Sequence, residues 1–310
     1  MATRTSSTAS RTKAFRRSIV PRLLAWHSAN KRSFIWRGVK RSPYIVLVSE
    51  FMLQQTGTTH VDRRLPIFLK QFPSVKSLAN ATPAQVLRAW QGLGYNRRAL
   101  YLHRAAKALA ALRTFPKSLE ALQKLPGVGQ YTASAVLAFA YNADMPVIDV
   151  NVERVLSRLW KKMPNNRTTL PKKDLYEFDA SVLPKGQSSA WHEALMDLGA
   201  TICTKNAPKC LECPLRRSCP SVTMEHSSQK SARSEPHYFG EPRRIWRGRV
   251  LRTIANADGV ATRTLTSTME KRFEIEGAGF APFIKQLVKT LVAEQFIHES
   301  ADGTLILANE

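Results

Sequence analysis

The sequence predicts an all-α protein of two helical lobes, followed by a small C-terminal α+β domain. Between residues 17 and 220, apolar residues recur at helical spacing in segments bounded by Pro, Gly and Asn, and strand-like alternation is scarce before residue 240. Residues 221–240 are polar and indicate a linker. Residues 241–310 combine helical segments with a closing β-hairpin. A chain of 310 residues is long enough for such a division.

The helical segments follow one another closely. In the lobes we expect helices near 18–31, 44–56, 60–72, 82–91, 96–112 and 117–124. Thr82 and Pro83 suit the N-cap and the first position of one of them. In the C-terminal domain we expect helices near 244–256, 264–273 and 279–294, and then a hairpin that turns at Asp302–Gly303. Helices followed by a hairpin resemble a winged helix.

The chain is strongly basic. It carries 47 Lys and Arg against 23 Asp and Glu, a net charge of +24, which predicts attraction to a polyanion, most commonly nucleic acid. A membrane partner is disfavoured because no run of 18 apolar residues occurs. Residues 1–16 are rich in Ser, Thr and Arg without an apolar segment, which favours a flexible basic arm over a secretory signal. We therefore expect a cytoplasmic monomer, nucleoid-associated if bacterial.

All four cysteines lie within residues 203–219 with the spacing C-x6-C-x2-C-x5-C. Such crowding is not the layout of a disulfide framework, whereas four thiolates can surround a zinc ion or an iron–sulfur cluster. Zinc ribbons usually pair two C-x2-C knuckles, and only one is present, so the uneven spacing favours a [4Fe–4S] cluster. The expected ligands are Cys203, Cys210, Cys213 and Cys219. Cations among them suit contacts to phosphates.

The stretch LPGVGQYT, residues 125–132, interrupts a helix-forming region with two glycines and a proline. Gly127 and Gly129 permit backbone angles closed to other residues and remove side chains from the surface. The next helix therefore begins with bare N–H groups, which suit a phosphate. This pattern predicts a helix-hairpin-helix that grips a DNA backbone without reading sequence. Taken alone, an ordinary corner between two helices is the simpler interpretation.

Two acidic residues stand out by their surroundings. Glu50 is a lone acid on the apolar helix VSEFMLQQT, so we expect burial to raise its pKa and keep it protonated. Asp149 follows an apolar run and precedes a helix, where the helix dipole favours its ionised form. One acid and one carboxylate are what the cleavage of a glycosidic bond requires. A simple N-cap is an equally good interpretation of Asp149 from this segment alone.

Six segments resemble the helix-hairpin-helix superfamily of DNA glycosylases, which contains endonuclease III and the MutY-type adenine glycosylases. They are FIWRG, VSEFMLQQT, WQGLGYNRRA, LPGVGQYTASAV, VIDVNVERVLSR and MDLGATICTKNAPKCLECPLRRSC, in the family's order across residues 17–220. The resemblance implies a two-lobed helical fold, a DNA cleft and a [4Fe–4S] cluster on the four cysteines. It also implies double-stranded DNA with a mismatch as the partner.

Site residues follow from the same motifs. By position, Glu50 would protonate the base at N7, Asp149 would stabilise or capture the sugar cation, and Tyr131 and Asn151 would support them. Contacts to DNA or to the base would come from Phe34, Arg37, Gln54, Gln55, Tyr95, Gly127, Gly129 and Gln130. Within this set, Phe34 and Arg37 would line the adenine pocket, and Gln55 and Tyr95 would wedge into the stack when the base is extruded.

Tyr131 stands where endonuclease III-type enzymes place a lysine that forms an imine with the sugar. A phenol cannot form that imine, so the resemblance implies a monofunctional glycosylase. SE-x-MLQQT and GLGY are similar to adenine glycosylases that act opposite 8-oxoguanine or guanine. Three departures are FIWRG in place of Pro-Trp-Arg, Val150 in place of Gly, and a C-terminal region unlike a Nudix domain.

Two alternatives remain open. Thymine glycosylases that act on T/G or U/G mismatches also carry a tyrosine in the hairpin and a small residue other than glycine beside the aspartate. A non-enzymatic iron–sulfur DNA-binding protein is the other alternative. The two acids favour an enzyme, because buried acids destabilise a protein unless they are used or paired.

Overall fold

The computed structural model describes residues 3–38, 41–160, 169–222, 236–257 and 259–308, with side chains from residue 12 onward. This part of the chain is mainly helical, as the sequence predicts. The helices are α1 (Thr3–Asn30), α2 (Pro43–Leu53), α3 (Thr58–Gln71), α4 (Val75–Ala79), α5 (Pro83–Ala89), α6 (Arg97–Ala110), α7 (Leu119–Gln123), α8 (Gln130–Tyr141), α9 (Val150–Trp160), α10 (Lys172–Val182), α11 (Ser188–Thr201), α12 (Arg243–Ala257), α13 (Thr262–Phe273) and α14 (Phe280–Ala293). The strands found in the same part are β1 (His237–Tyr238), β2 (Glu241–Pro242), β3 (Val260–Ala261), β4 (Ile297–Glu299) and β5 (Thr304–Leu307).

The described residues form two compact units, each drawn from separate stretches of the chain. The first unit is drawn from Met1–Leu47, Pro116–Gln123 and Val128–Ser231, and the second from Val48–Phe115, Lys124–Gly127 and Ala232–Glu310. The C-terminal region, which the sequence predicts as a domain of its own, therefore shares a unit with residues 48–115.

The first unit is built around an apolar core shared by α1, α9, α10 and α11. Leu23 of α1, Leu156 of α9 and Trp191 of α11 are fully buried in it. The indole of Trp191 donates a hydrogen bond to the Asp179 carboxylate at 2.8 Å, so this buried polar group is satisfied. Because α9 buries Val152 and Leu156 along one face, the core fixes the start of α9, where Asp149 lies.

The second unit contains α3 to α6. Thr82 and Gln85 form a reciprocal capping box at the start of α5, as the Thr82–Pro83 pair predicts. Trp90, at the end of α5, is fully buried and packs edge-on against Phe68 at 5.8 Å between ring centroids. Helix α12 packs on α5, and a guanidinium N–H of Arg88 donates to the Ala255 carbonyl at 2.7 Å. This contact joins the C-terminal region to residues 48–115.

The C-terminal region has the expected three helices and closing hairpin. Strands β3, β5 and β4 form an antiparallel sheet in that order, with Val260 opposite Leu305. Asp302 closes the β4–β5 turn by accepting a hydrogen bond from the Thr304 N–H at 3.0 Å. Helix, strand, two helices and two strands is the order of elements in a winged helix. Trp246, fully buried, packs against the rings of Phe273, Phe280 and Phe283.

The N-terminal segment differs from expectation. Residues 1–16 favour a flexible arm, but α1 begins at Thr3 and runs without a break to Asn30. No glycine or proline precedes Pro21, so nothing in the sequence stops the helix, and Phe15 and Ile19 anchor it in the core. Most of the expected linker, residues 223–235, lies outside the described residues.

Truncation of Leu23 tests the placement of α1. Because this side chain is 0% exposed in the first unit, Leu23→Ala should lower the free energy of unfolding by about 2–5 kcal/mol, measured by urea denaturation. Leu211→Ala is the matched control, since Leu211 is 79% exposed, and it should change stability by less than about 0.5 kcal/mol. Equal effects would contradict the placement.

Candidate active site

Asp149 caps helix α9. One carboxylate oxygen, Oδ1, accepts hydrogen bonds from the backbone N–H groups of Asn151 at 2.9 Å and Val152 at 2.7 Å. These are N–H groups that the first turn of a helix leaves without partners. The other oxygen, Oδ2, accepts from the Asn151 side-chain amide at 3.1 Å. The expected position at a helix start is confirmed, and three N–H donors fix the orientation of the carboxylate.

Asn151 is itself held from behind by Arg154. A guanidinium N–H of Arg154 donates to Asn151 Oδ1 at 2.8 Å and to the Gly199 carbonyl at 2.7 Å. The Arg154 Nε–H donates to the carbonyl of Cys203 at 2.7 Å. Because Asn151 Oδ1 is occupied in this way, its NH₂ group is turned toward Asp149. The residue that supports the carboxylate is thus bonded to α11 and to the start of the cysteine loop.

Gly199 lets α11 approach this pair closely. A Cβ added at Gly199 would lie 2.7 Å from Asn151 Cβ and 3.2 Å from an Arg154 nitrogen. A Cβ atom does not come within 3 Å of another atom without a shift of one of the two, so any larger residue must displace the start of α9. Glycine is required here by close packing within a helix.

The LPGVGQYT stretch forms a turn between α7 and α8. Gly127 has φ of +75°, and a Cβ there would lie 2.6 Å from Tyr101 Cβ. Gly129 is the N-cap of α8, and no side chain among the described residues caps this helix start. Gly129 and Gln130 are exposed. The first N–H groups of α8 are therefore open to an anion, as the helix-hairpin-helix interpretation predicts.

Tyr131 is half-buried at the first turn of α8. It packs against a small cluster formed by Ala135, Ala138 and Val147. Val147 also donates its N–H to His192 Nε2 at 3.0 Å, which fixes the segment that leads to Asp149. Tyr131 and Asp149 are thereby attached to the same part of the first unit.

The segment around Phe34 is organised by an acid that the sequence analysis did not select. Phe34 stacks on Trp36 with 4.5 Å between ring centroids, and Arg37 donates to Asp197 Oδ2 at 2.8 Å. Burial alone would raise the pKa of Asp197, but hydrogen bonds from His27 and Arg37 outweigh it and lower that pKa. The predicted pocket residue Arg37 is therefore bound to a buried carboxylate. Asp197 is the lone acid in the apolar stretch ALMDLGA, and that position could have identified it from the sequence.

Glu50 lies on α2 in the second unit, and Asp149 lies in the first. Glu50 is 4% exposed, so the expectation of a buried acid on this helix is confirmed. Gln55 follows α2 and Tyr95 precedes α6. Both are exposed and have positive φ, +57° and +47°, a conformation that costs a residue other than glycine about 1 kcal/mol or more. The meeting of the two carboxyl groups in one cleft stays a prediction.

The four cysteines line one cavity together with Arg158 and Arg216. An N–H of Arg158 lies 3.3 Å from Cys203 Sγ and donates to the Thr204 carbonyl at 2.8 Å. Burial, aided by the neighbouring thiols, raises the pKa of Cys219 to about 11. Among the described residues, no three His, Cys, Asp or Glu side chains converge as on a single metal ion. Four thiols around one cavity, with a guanidinium against them, fit a bound anionic cluster.

Comparison with known proteins agrees with this geometry. A family model described as "HhH-GPD superfamily base excision DNA repair protein" matches residues 48–177. An adenine DNA glycosylase of Mycolicibacterium smegmatis is 34% identical over 290 residues, which are 93% of this chain and 95% of that protein.

The chain belongs to the HhH-GPD superfamily. The human adenine DNA glycosylase is also 34% identical, over 64% of this chain and 38% of its own length. Among solved structures, a thermostable thymine-DNA glycosylase matches with a TM-score of 0.61 and 26% identity, over 68% of this chain and 98% of that one. A trapped endonuclease III–DNA intermediate matches with a TM-score of 0.57 and 21% identity, over 67% of this chain and 96% of that one, which supports the fold alone.

Only some residues of this site in the HhH-GPD protein could be predicted from the sequence. The sequence singles out Asp149, Asn151 and the hairpin, whose roles stay predictions. It does not single out Arg154, Asp197 and Gly199, each of which contacts a residue distant in sequence. No helix in the described part of the chain is both long and apolar enough to cross a bilayer.

Substitution of Gly199 tests the packing behind Asn151. Gly199→Ala forces α9 and α11 apart and should lower the free energy of unfolding by about 1–3 kcal/mol in urea denaturation. The matched control is Gly248→Ala in α12, where an added Cβ meets nothing within 4 Å. That change should be neutral or stabilise by up to about 1 kcal/mol, because alanine favours helix. A harmless Gly199→Ala would refute the close approach.

Proposed function

We propose that this DNA glycosylase hydrolyses the N-glycosidic bond of a mispaired adenine in duplex DNA. The proposal depends above all on the Asp149 carboxylate, which three hydrogen bonds from the start of α9 and from Asn151 hold in place. The mycobacterial relative named adenine DNA glycosylase supports adenine as the base, because it matches 93% of the chain.

The reaction needs one acid and one carboxylate. Glu50 donates its proton to N7 of the adenine, and the C1′–N9 bond breaks with its electron pair passing to the base. Asp149 stabilises the positive charge that develops on the sugar. Water then adds at C1′ and passes a proton to the Glu50 carboxylate, which restores the acid and leaves free adenine and an abasic site. Tyr131 offers no amine for an imine, so strand cleavage is not part of the cycle.

Thymine is the second candidate base. A solved thymine-DNA glycosylase is 26% identical over 68% of the chain, and Val150 stands beside the aspartate where adenine glycosylases usually carry glycine. The adenine assignment has the broader support, since the mycobacterial match extends over 93% of the chain. Residues 241–310 are more than a fifth of the chain, so that match includes most of the C-terminal region.

The C-terminal region contributes little to electrostatic attraction. Residues 241–310 hold ten Lys or Arg against nine Asp or Glu, whereas residues 1–115 hold twenty-one against two. In the C-terminal region Arg247 is paired with Glu294 and Arg249 with Glu241. We infer that DNA phosphates are held mainly by residues of the glycosylase core, residues 17–220. The winged-helix region, residues 241–310, chiefly packs against that core, as α12 does against α5.

A single-turnover assay decides the base. Duplexes with A opposite 8-oxoguanine, A opposite G and T opposite G are incubated with excess protein, and alkali then reveals abasic sites. Adenine release supports the proposal. Thymine release without adenine release would show that the base removed is thymine, the second candidate. No release from any duplex would contradict both the adenine and the thymine assignments.

Removal of the Asp149 charge tests the role of this residue. Asp149→Asn should slow adenine release on the order of 10²–10³-fold, because the sugar cation loses its counter-charge. Duplex binding should be unchanged, as measured by fluorescence anisotropy. Glu153→Gln removes a charge from the same helical turn and should leave the rate unaltered. Loss of binding by Asp149→Asn would show that the aspartate is only structural.

A [4Fe–4S] cluster on Cys203, Cys210, Cys213 and Cys219 is part of the proposal. When bound, it would hold the loop rigid; the reaction above uses no step through it. Protein purified without oxygen should contain about four irons and four sulfides per chain, the content of one such cluster. Cys213→Ser should lose both. One zinc per chain and no iron would contradict the cluster.

A further inference from the structure

Arg98 occupies the junction of two exposed loops in the second unit. It lies in the first turn of α6 and is 7% exposed. One loop follows α2 and carries Gln55, and the other precedes α6 and carries Tyr95. The charge of Arg98 has no carboxylate partner among the contacts that the structure describes. Its function must be found in the neutral groups around it.

The guanidinium divides its hydrogen bonds between the two loops. From Nη1 it donates to the carbonyls of Phe51 and Met52, both at 2.9 Å, and to that of Gln54. These carbonyls belong to the end of α2, where the helix leaves them without partners and where a positive charge is favourable.

The second nitrogen, Nη2, serves mainly the other loop. It donates to the carbonyls of Leu93 at 2.9 Å and Gly94 at 3.1 Å, and to Thr56 Oγ1 at 3.0 Å. Thr56 in turn donates to Leu93 at 3.2 Å. Capping α2 would require only the first set of bonds. The second set ties the loop of Tyr95 to the loop of Gln55.

Each tied loop presents one strained residue. Gln55 and Tyr95 have φ of +57° and +47°, and side chains other than glycine hold such angles only when their surroundings enforce them. Both side chains are exposed, Tyr95 by 45%. Burial of these side chains therefore does not offset the free-energy cost of their backbone conformation. The Arg98 guanidinium also lies 5.4 Å from the centre of the Tyr95 ring.

We propose that Arg98 is a positioning residue that holds Gln55 and Tyr95 in one fixed arrangement, so that both side chains enter the base stack together as the adenine is extruded. This inference rests on the proposed function, since it assumes that a base leaves the helix. A lysine at position 98 keeps the charge but lacks the planar fork, so it cannot hold both loops at once.

Base extrusion can be measured apart from catalysis. The probe is a duplex with 2-aminopurine at the target position opposite 8-oxoguanine, with a 2′-fluorine that blocks cleavage. Its fluorescence rises when the base unstacks. Arg98→Lys should lower the extrusion equilibrium about tenfold, the effect of losing one charge-assisted hydrogen bond. Arg97→Lys, the same change at the exposed neighbouring position, should extrude the base as the wild type does.

Two further measurements separate positioning from folding. Affinity for a duplex that already contains an abasic analogue should be unchanged in Arg98→Lys, because no base has to leave the stack. Thr56→Val, of nearly equal size, removes the hydroxyl that joins the loops and should lower extrusion about threefold. The variant should still fold, because Arg98 keeps its bonds to the carbonyls of Leu93 and Gly94. It keeps the test valid if Arg98→Lys does not fold.

The outcomes are distinct. Full extrusion by Thr56→Val and by a folded Arg98→Lys would overturn the inference while leaving the proposed function intact. An equal loss of affinity for the abasic duplex in Arg98→Lys would also overturn it, since a general structural defect would then suffice. The absence of any fluorescence change with the wild-type chain, despite tight binding, would overturn both the inference and the proposed extrusion of adenine.

Discussion

The bond between the Asp149 carboxylate and the first N–H groups of α9 is the interaction on which the account depends. The same two hydrogen bonds cap the helix and fix the orientation of the carboxylate, so stability and the proposed function use the same atoms. The N-cap and the catalytic interpretations of this residue are thus compatible. The remaining oxygen faces Asn151, whose amide is oriented by Arg154. The carboxylate is therefore placed before any substrate arrives, which is what electrostatic stabilisation of a cation requires.

Arginine has two separate roles in this basic chain. Most of the cations enlarge the attraction to a polyanion, but several of the described arginines also bind groups inside the protein, and four of these lie beside proposed site residues. Arg98 collects carbonyls from two loops, Arg154 joins α9 to the cysteine loop, Arg158 holds carbonyls of that loop, and Arg37 binds buried Asp197. Each of these four guanidinium groups fixes a segment that bears a proposed site residue. A guanidinium suits the task because it offers five donors in a rigid plane.

The elements that could be predicted from the sequence are those determined by residues close together in the chain. Helical periodicity, the Thr82 cap, the glycine turn at residues 127–129 and the hairpin at Asp302 all depend on neighbours in the chain, and the structure contains each of them. Sequence reasoning did not reach the contacts of these arginines. Many of their acceptors are backbone carbonyls, which carry no sequence signature, and several lie some forty or more residues away, as for Arg98 with Phe51 and Arg154 with Cys203. Sequence reasoning also mistook the start of α1 for a flexible arm, since a polar composition does not by itself prevent a helix.

Affinity for a charged transition-state mimic tests the role of Asp149 most directly. A duplex carrying a cationic azasugar opposite 8-oxoguanine is compared with one carrying a neutral abasic analogue, in the wild type and in Asp149→Asn. If Asp149 stabilises the sugar cation, the wild type prefers the cation on the order of 10²-fold or more, and the variant loses this preference while binding the neutral analogue normally. Equal preference for the cation in both proteins would contradict the account.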